Sequence, residues 1–329
     1  AKNTVKHLEP IVTILSDAKL DVNGIMSVQS FDEDVLRITK RKNLKSSEFE
    51  RLAARFREQQ MPMLSDVMIG LPGSTLATTR SDLQGIMEHE VNANIHATQL
   101  LPNSPMNEPS YREEWEIVTD EDAVLISTAS YSSEDREEMD RIVDSFHAAE
   151  TFGLLRQVLR WLAVRVDVRE IDALEALRLR AVGDPGTYPL MAYVLTSFLD
   201  TTTPPGTWST MLDEVGRLLE AEWGIGPEDP EWVTMRTLQL HVLPERGRTF
   251  PDVVDLDHDA VAFLKAAAAA RKEGTQPPAL STYGPTTIEV TDPHGTCDTL
   301  GTRHTVTDHH SFELAWPLAR HIAYRWSPD

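Results

Sequence analysis

Apolar positions in the first hundred residues switch between a spacing of three to four and short continuous runs, so helices and strands are expected in turn. Leu8, Ile11, Val12 and Leu15 share one helical face, which predicts an amphipathic helix over residues 3–19. Gly24 to Ser30 (GIMSVQS) is short, apolar and bounded by Asn23-Gly24 and an Asp-rich helix start, the pattern of a buried parallel strand. Ser46 or Ser47 can cap a second helix with the stripe Phe49, Leu52, Ala53 and Phe56. A strand from Met63 to Leu71 is then broken by Pro72-Gly73, Ser74 or Thr75 opens a helix to about Glu90, and Ala93 to Leu101 is a third strand. The polar residues Gln29, Asp66 and Gln99 are expected at the strand ends, separated by 37 and 33 residues, which is a strand–helix repeat of barrel size.

The pattern changes after Pro102. Residues 107–133 are acidic and loop-rich and read as a connecting segment. Ser133-Glu134-Asp135 starts a helix with negative charge in its first turn, where the helix dipole favours it. Leu155, Val158, Leu159 and Leu162 stripe a further helix, and Val194, Leu195 and Phe198 another, so residues 134–272 are expected to form a helical domain. Residues 273–329, with TTIEV and HTVTD, are expected to be a small β-containing tail. The predicted fold class is therefore α/β. It comprises three strand–helix units over residues 1–106, then the connecting segment, the mainly helical domain and the mixed tail.

Composition narrows the functions. A formal net charge of −21 over 329 residues argues against nucleic-acid binding, which needs clustered Lys and Arg. The stretch 37–57 departs from this, with eight basic residues against Glu48 and Glu50, and suits attraction of a small anion as well as a solvated helix face. No run of about 18 apolar residues and no signal peptide are seen. The single cysteine, Cys297, excludes an internal disulfide, so a cytoplasmic location and no membrane partner are expected. His294, Cys297, His304, His309 and His310 match no metal-ligand spacing, and no metal site is assigned. Asp255 to Asp259 (DLDHD) lacks the glycine and terminal glutamate of a calcium loop and reads as a helix start. Trp161, Trp208, Trp223 and Trp232 read as core or interface anchors.

Polar groups at the C-terminal ends of parallel strands face the place where such folds bind ligands. Gln29 offers an amide donor and acceptor there, Asp66 an acceptor for sugar hydroxyls, and Arg41 a planar fork for a carboxylate. Gly70 leaves room for backbone to approach a flat ligand. Each residue alone is unremarkable in structural terms, and their joint spacing is what points to a site. Arg41 follows Gln29 by 12 positions and Asp66 follows Arg41 by 25.

This spacing, with SVQS, KRKN and DVMIGLPGST around it, resembles the second half of the barrel of radical S-adenosylmethionine (SAM) enzymes. It is similar to relatives of oxygen-independent coproporphyrinogen oxidase and to methylthiotransferases. With AKNT, QLLPNSP and YREEW in the same order, residues 1–150 resemble in particular the members that carry an N-terminal cobalamin-binding domain. The resemblance implies that Gln29, Arg41, Asp66 and Gly70 line a SAM pocket, with Arg41 on the carboxylate and Gly70 beside adenine. It further implies a 4Fe-4S cluster that cleaves SAM to a 5'-deoxyadenosyl radical, and a cobalamin partner domain. The substrate is not named by it. The CxxxCxxC cluster motif is missing, so the chain is expected to be an incomplete portion whose N-terminal partner segment lies upstream in the same polypeptide. The alternative is a barrel remnant that binds a ligand or partner without catalysis.

Overall fold

In the computed structural model, residues 24–41, 46–58, 63–197, 206–243, 247–291 and 323–325 are described, with isolated positions 10, 11, 13, 14, 18 and 245. The predicted helix 3–19 falls mostly outside them, as do HTVTD, Phe198 and the tail histidines with Cys297. The chain is mixed α/β and divides into two compact units, Ala1–Val143 and Asp144–Asp329. Among the described residues no sheet closes into a barrel, and no helix is long and apolar enough to cross a membrane.

The first unit is built on a parallel sheet of β1 (Gly24–Gln29), β2 (Met63–Ile69) and β3 (Asn92–Ala97), in that order. Short helix α1 (Glu33–Ile38) and α2 (Ser46–Glu58) connect the first two strands, and α3 (Leu76–His89) connects the second to the third. The α2 stripe is buried as its period requires, with Phe49, Leu52, Ala53 and Phe56 at 5 % exposure or less. Thr75 is the cap of α3: its hydroxyl accepts from the Thr78 N–H at 3.2 Å while the Thr78 hydroxyl accepts from the Thr75 N–H at 2.8 Å.

The third strand ends four residues earlier than its apolar run suggests. Beyond Ala97 the Thr98 N–H and hydroxyl both donate to the Ile69 carbonyl, at 3.0 and 2.8 Å. The Leu100 N–H and the Thr98 carbonyl then bond Ala123 and Leu125, so the chain leaves the parallel sheet for an antiparallel partner. The acidic stretch that follows forms short elements, α4 (Pro109–Glu114) and the hairpin β4 (Val118–Thr119) and β5 (Leu125–Ser127). Leu100, Tyr111, Ile117 and Leu125 make a small core beneath them.

The second unit is mainly helical. It contains the end of α5 (Ser133–Phe146), then α6 (Arg156–Arg165), α7 (Glu170–Gly183), α8 (Pro189–Ser197), α9 (Thr207–Trp223), α10 (Pro230–Val242) and α11 (Ala260–Glu273). A π-helical turn, His147–Thr151, joins α5 to α6. Leu155, Val158, Leu159 and Leu162 are fully buried. Among its described residues, buried carboxylates are matched by hydrogen-bond donors. Glu150 accepts two bonds from Arg160, at 2.7 and 2.8 Å, and Glu214 accepts the Leu190 and Met191 N–H groups at the start of α8. An antiparallel sheet of β6 (Asp252–Leu256), β7 (Thr286–Thr291) and β8 (Ala323–Arg325) completes the unit. Asp259 caps α11 through the Ala262 N–H at 2.8 Å, so DLDHD runs from a strand into a helix start.

Candidate functional site

Successive strand residues face opposite sides of a sheet, and in β1–β3 the two sides differ in kind. One side carries Met26, Val28, Ser65, Val67, Ile69 and Ala93, all at 5 % exposure or less. The other carries Ser27, Asp66 and Asn94 at matched register positions, none of them buried, with Met68 and exposed His96 one step further along. A parallel sheet ordinarily hides both faces. Here the row through Asp66 is polar and half-open, flanked on the same face of β2 by buried Leu64 and half-buried Met68.

Asp66 is the centre of that face. Its Oδ2 accepts from the Ser27 hydroxyl at 2.8 Å and its Oδ1 from the Asn94 amide at 3.2 Å, while His96 Nε2 lies 3.8 Å from Oδ1. A carboxylate has about four acceptor positions, so capacity remains for a pair of hydroxyl donors arriving from the open side. Asp66 sits in the middle of β2, three residues before its last residue, and not at the strand end where spacing alone puts it. Ser27 and Asn94 are missed by motif reading, although strand alternation from Asp66 leads to them.

Gln29 is the last residue of β1. The register slips between Ser27 and Gln29, and Gln29 takes a left-handed backbone with φ 68°. For a residue with a Cβ this costs on the order of 1 kcal/mol. Its Oε1 is buried and has no hydrogen-bond partner among the described residues. A bulge at a strand end re-aims a side chain, and here it leaves an acceptor unsatisfied.

The loop after β2 forms the same rim. Gly70 has φ 73°, and its carbonyl accepts from the buried Tyr131 hydroxyl at 2.7 Å. Gly73 has φ 92°, its N–H donates to the Ser130 hydroxyl at 3.0 Å, and a Cβ built on it would fall 2.6 Å from Ile38 Cδ1. The end of α1 therefore rests on the Leu71–Gly73 turn. Arg41 follows directly. Lys40 is left-handed at φ 54°, the Lys40 N–H donates to Arg37 O and the Arg41 N–H to Leu36 O at 2.8 Å, a Schellman ending for α1. The Arg41 side chain is exposed. Gln29, Gly70 and Arg41 thus lie on segments leaving the same ends of β1 and β2, and Asp66 lies inward along β2 on the open face. Among the described residues, no hydrogen bond or ion pair joins the Arg41 side chain to the other three.

One buried group that no sequence motif marks holds this rim. Asp82 of α3 is 5 % exposed, and its Oδ1 accepts from the Phe31 N–H at 2.6 Å and the Ser30 hydroxyl at 3.1 Å, fixing the turn after Gln29. Burial pushes its carboxyl up to about 7, against the lowering effect of those two bonds. A raised carboxyl binds a proton on folding, so its charge weakens the fold progressively as pH rises from about 4 towards 7. Asp82→Asn keeps the acceptor and removes the charge. Thermal melts of both proteins from pH 4.5 to 8 are expected to diverge as pH rises, the variant gaining a few kcal/mol relative to wild type at pH 8. Parallel curves would show that Asp82 stays ionised throughout.

No protein-family model matches the chain. Two curated relatives show what it is similar to. One is the cobalamin-dependent radical SAM methyltransferase TokK of Streptomyces tokunonensis, 29 % identical over 122 residues, covering 36 % of this chain and 18 % of the relative. The other is the 2-(S-pantetheinyl)-carbapenam-3-carboxylate methyltransferase of Streptantibioticus cattleyicolor, 29 % identical over 112 residues, covering 33 % of this chain and 16 % of the relative. The chain thus spans less than a fifth of the relatives it matches. About a third of the chain is thus distantly similar to two methyltransferases, one of them a cobalamin-dependent radical SAM enzyme.

Proposed function

We propose that the β1–β3 sheet is the SAM-binding part of a radical SAM enzyme and that its three strand–helix units are the last three of that enzyme's barrel. The observation that carries the reading is the half-open polar row Ser27–Asp66–Asn94, with the unsatisfied Gln29 Oε1 at its rim. Among the described residues β1 and β3 each pair on one side only, which suits strands added at both edges. The similarity to methyltransferases makes methyl transfer the favoured outcome.

The residues present suit SAM. Asp66 would take the two ribose hydroxyls, Gln29 Oε1 an N–H donor of the ligand, Arg41 the carboxylate, and the Gly70 turn the adenine plane. SAM bound beside a reduced cluster supplies radical hydrogen abstraction. This chain's own task is to hold the ligand and keep Asp66 aligned through Ser27 and Asn94. The residues present do not suit the 4Fe-4S cluster, since cysteine thiolates hold such clusters and the chain has one cysteine. The reading assigns the cluster ligands, and cobalamin, to segments outside these residues, and it places the protein in the reducing cytoplasm.

Titration calorimetry with SAM tests it. The wild-type chain is expected to bind, with Asp66→Ala and Gln29→Ala each weakening affinity about tenfold or more, the scale of one or two hydrogen bonds to a charged or buried group. Absence of saturable binding at millimolar SAM, or wild-type affinity in both variants, would refute the assignment.

A further inference from the structure

The helical unit holds an open cleft between α9 and α10. Its volume is about 430 Å³, within the range of roughly 300–1,000 Å³ usual for small-molecule sites. The Arg236 guanidinium of α10 pairs with Asp213 of α9 at 2.6 Å, and a Cβ built on Gly216 of α9 would lie 3.0 Å from Trp232 Nε1 of α10. Residue numbers thus rise along one helix as they fall along the other, so the two run antiparallel. One further turn of α9 brings Glu220 to the end of the cleft that Glu228, just before α10, also lines.

The two ends differ in charge. At the first, Asp213 is matched by Arg236, which also bonds the Ser209 hydroxyl at 3.0 Å. At the second, Glu220 and Glu228 are exposed, and neither forms an ion pair among the described residues. Two carboxylates alone would attract any cation, and the wall between the ends narrows the choice. Trp232 is 2 % exposed and stacks on Trp161, whose own Nε1 is bonded to Glu231. Trp232 Nε1 has no acceptor among the described residues, and it is not one of the polar atoms sealed from solvent. Trp232 lines the cleft, so the little surface it keeps open includes this N–H. A side chain at Gly216 would cover it. An indole N–H only donates, and one this deep ordinarily has a partner. Leu212 and Val233 add apolar surface to the same cleft.

We propose that the α9–α10 cleft binds a small α-amino amide with an apolar side chain. Its ammonium group meets Glu220 and Glu228, its carbonyl accepts from Trp232 Nε1, and its side chain covers Leu212 and Val233. The proposal concerns the second unit alone and does not rest on the SAM reading.

The full chain, isotopically labelled in its tryptophan indoles, is titrated with L-leucinamide and followed by NMR through the Trp232 N–H signal, which Trp232→Phe identifies by its loss. N-acetyl-L-leucinamide lacks the ammonium group, and isopentylamine lacks the carbonyl. Leucinamide is expected to move the signal saturably with a millimolar dissociation constant, and each analogue to bind about tenfold more weakly, the scale of one hydrogen bond to a charged group. Glu220→Gln combined with Glu228→Gln changes only exposed side chains. It is expected to weaken leucinamide about tenfold while leaving the response to N-acetyl-L-leucinamide as it is in the wild-type chain. Absence of a saturable shift with leucinamide, equal responses to all three compounds, or wild-type affinity in the double variant overturns the proposal.

Discussion

Glu150→Ala is expected to destabilise the second unit by about 3–5 kcal/mol, because it leaves cations buried without their anion. Glu150 is 4 % exposed, in the π-helical turn before α6, and each of its oxygens takes one bond of the Arg160 guanidinium. Arg156 adds a contact from Nε to Oε1 at 3.1 Å. Burial alone would raise the carboxyl, and the two guanidiniums outweigh it and hold it below its ordinary value. A lowered carboxyl contributes stability that is present above the ordinary range near 4.5 and is lost as pH falls through the folded value. Urea unfolding followed by tryptophan fluorescence at pH 7 measures the loss. Replacing Glu150 and Arg160 together with leucine should recover much of it, since an apolar pair of similar volume avoids the desolvation of both charges. A single Glu150→Ala change costing less than about 1 kcal/mol would mean that water reaches Arg160 and the pair is not truly buried.

What the sequence shows of this fold follows how locally each feature is encoded. The α2 and α6 stripes are legible because burial of Phe49, Leu52 and Phe56, or of Leu155, Val158 and Leu162, repeats with the helix period itself. The three strands and the α3 cap at Thr75 are legible for the same reason, since apolar runs and capping hydroxyls act within a few residues. The end of β3 is not, because Thr98 and Leu100 are drawn away by Ala123 and Leu125, more than twenty residues on. β6 escapes notice because Val254 and Leu256 are buried while Val253 is 64 % exposed, an alternation only five residues long inside a helical region.

Site residues divide along the same line. Gln29, Arg41, Asp66 and Gly70 stand out by spacing, yet the bulge that frees the Gln29 acceptor depends on pairing with β2 and has no signature of its own. Asp82 and Arg136 carry no local signal of what they touch, because those groups are distant in the chain. Asp82 holds a turn 51 residues upstream, and Arg136 lies over a glycine reached only through the fold. In the sequence both read as ordinary charges on helices.

Trp161→Ala is expected to lower stability by about 3–5 kcal/mol, the usual cost of emptying a large aromatic site. Trp161 is fully buried in α6, and its ring stacks on Trp232 of α10 at 6.1 Å between centroids and 28° between planes. Its Nε1 donates to Glu231 Oε2 at 3.0 Å, and Glu231 Oε1 accepts the Ser281 N–H at 2.8 Å. One indole therefore joins two helices and the turn before β7. Burial would raise the Glu231 carboxyl, and its bonds to Trp161 and Ser281 together with Arg165 hold it below its ordinary value. Trp161→Phe separates the two contributions, since it keeps most of the apolar area and removes the donor. It is expected to cost about 1–2 kcal/mol at pH 7 and to move the acid limb of the stability curve upward, because Glu231 loses a bond that favours its charged form. Urea midpoints for both variants at pH 7 and pH 4 check this. Equal losses for Phe and Ala would assign the whole effect to the hydrogen bond. No shift of the acid limb in Trp161→Phe would leave Ser281 and Arg165 alone as the groups that hold Glu231 ionised.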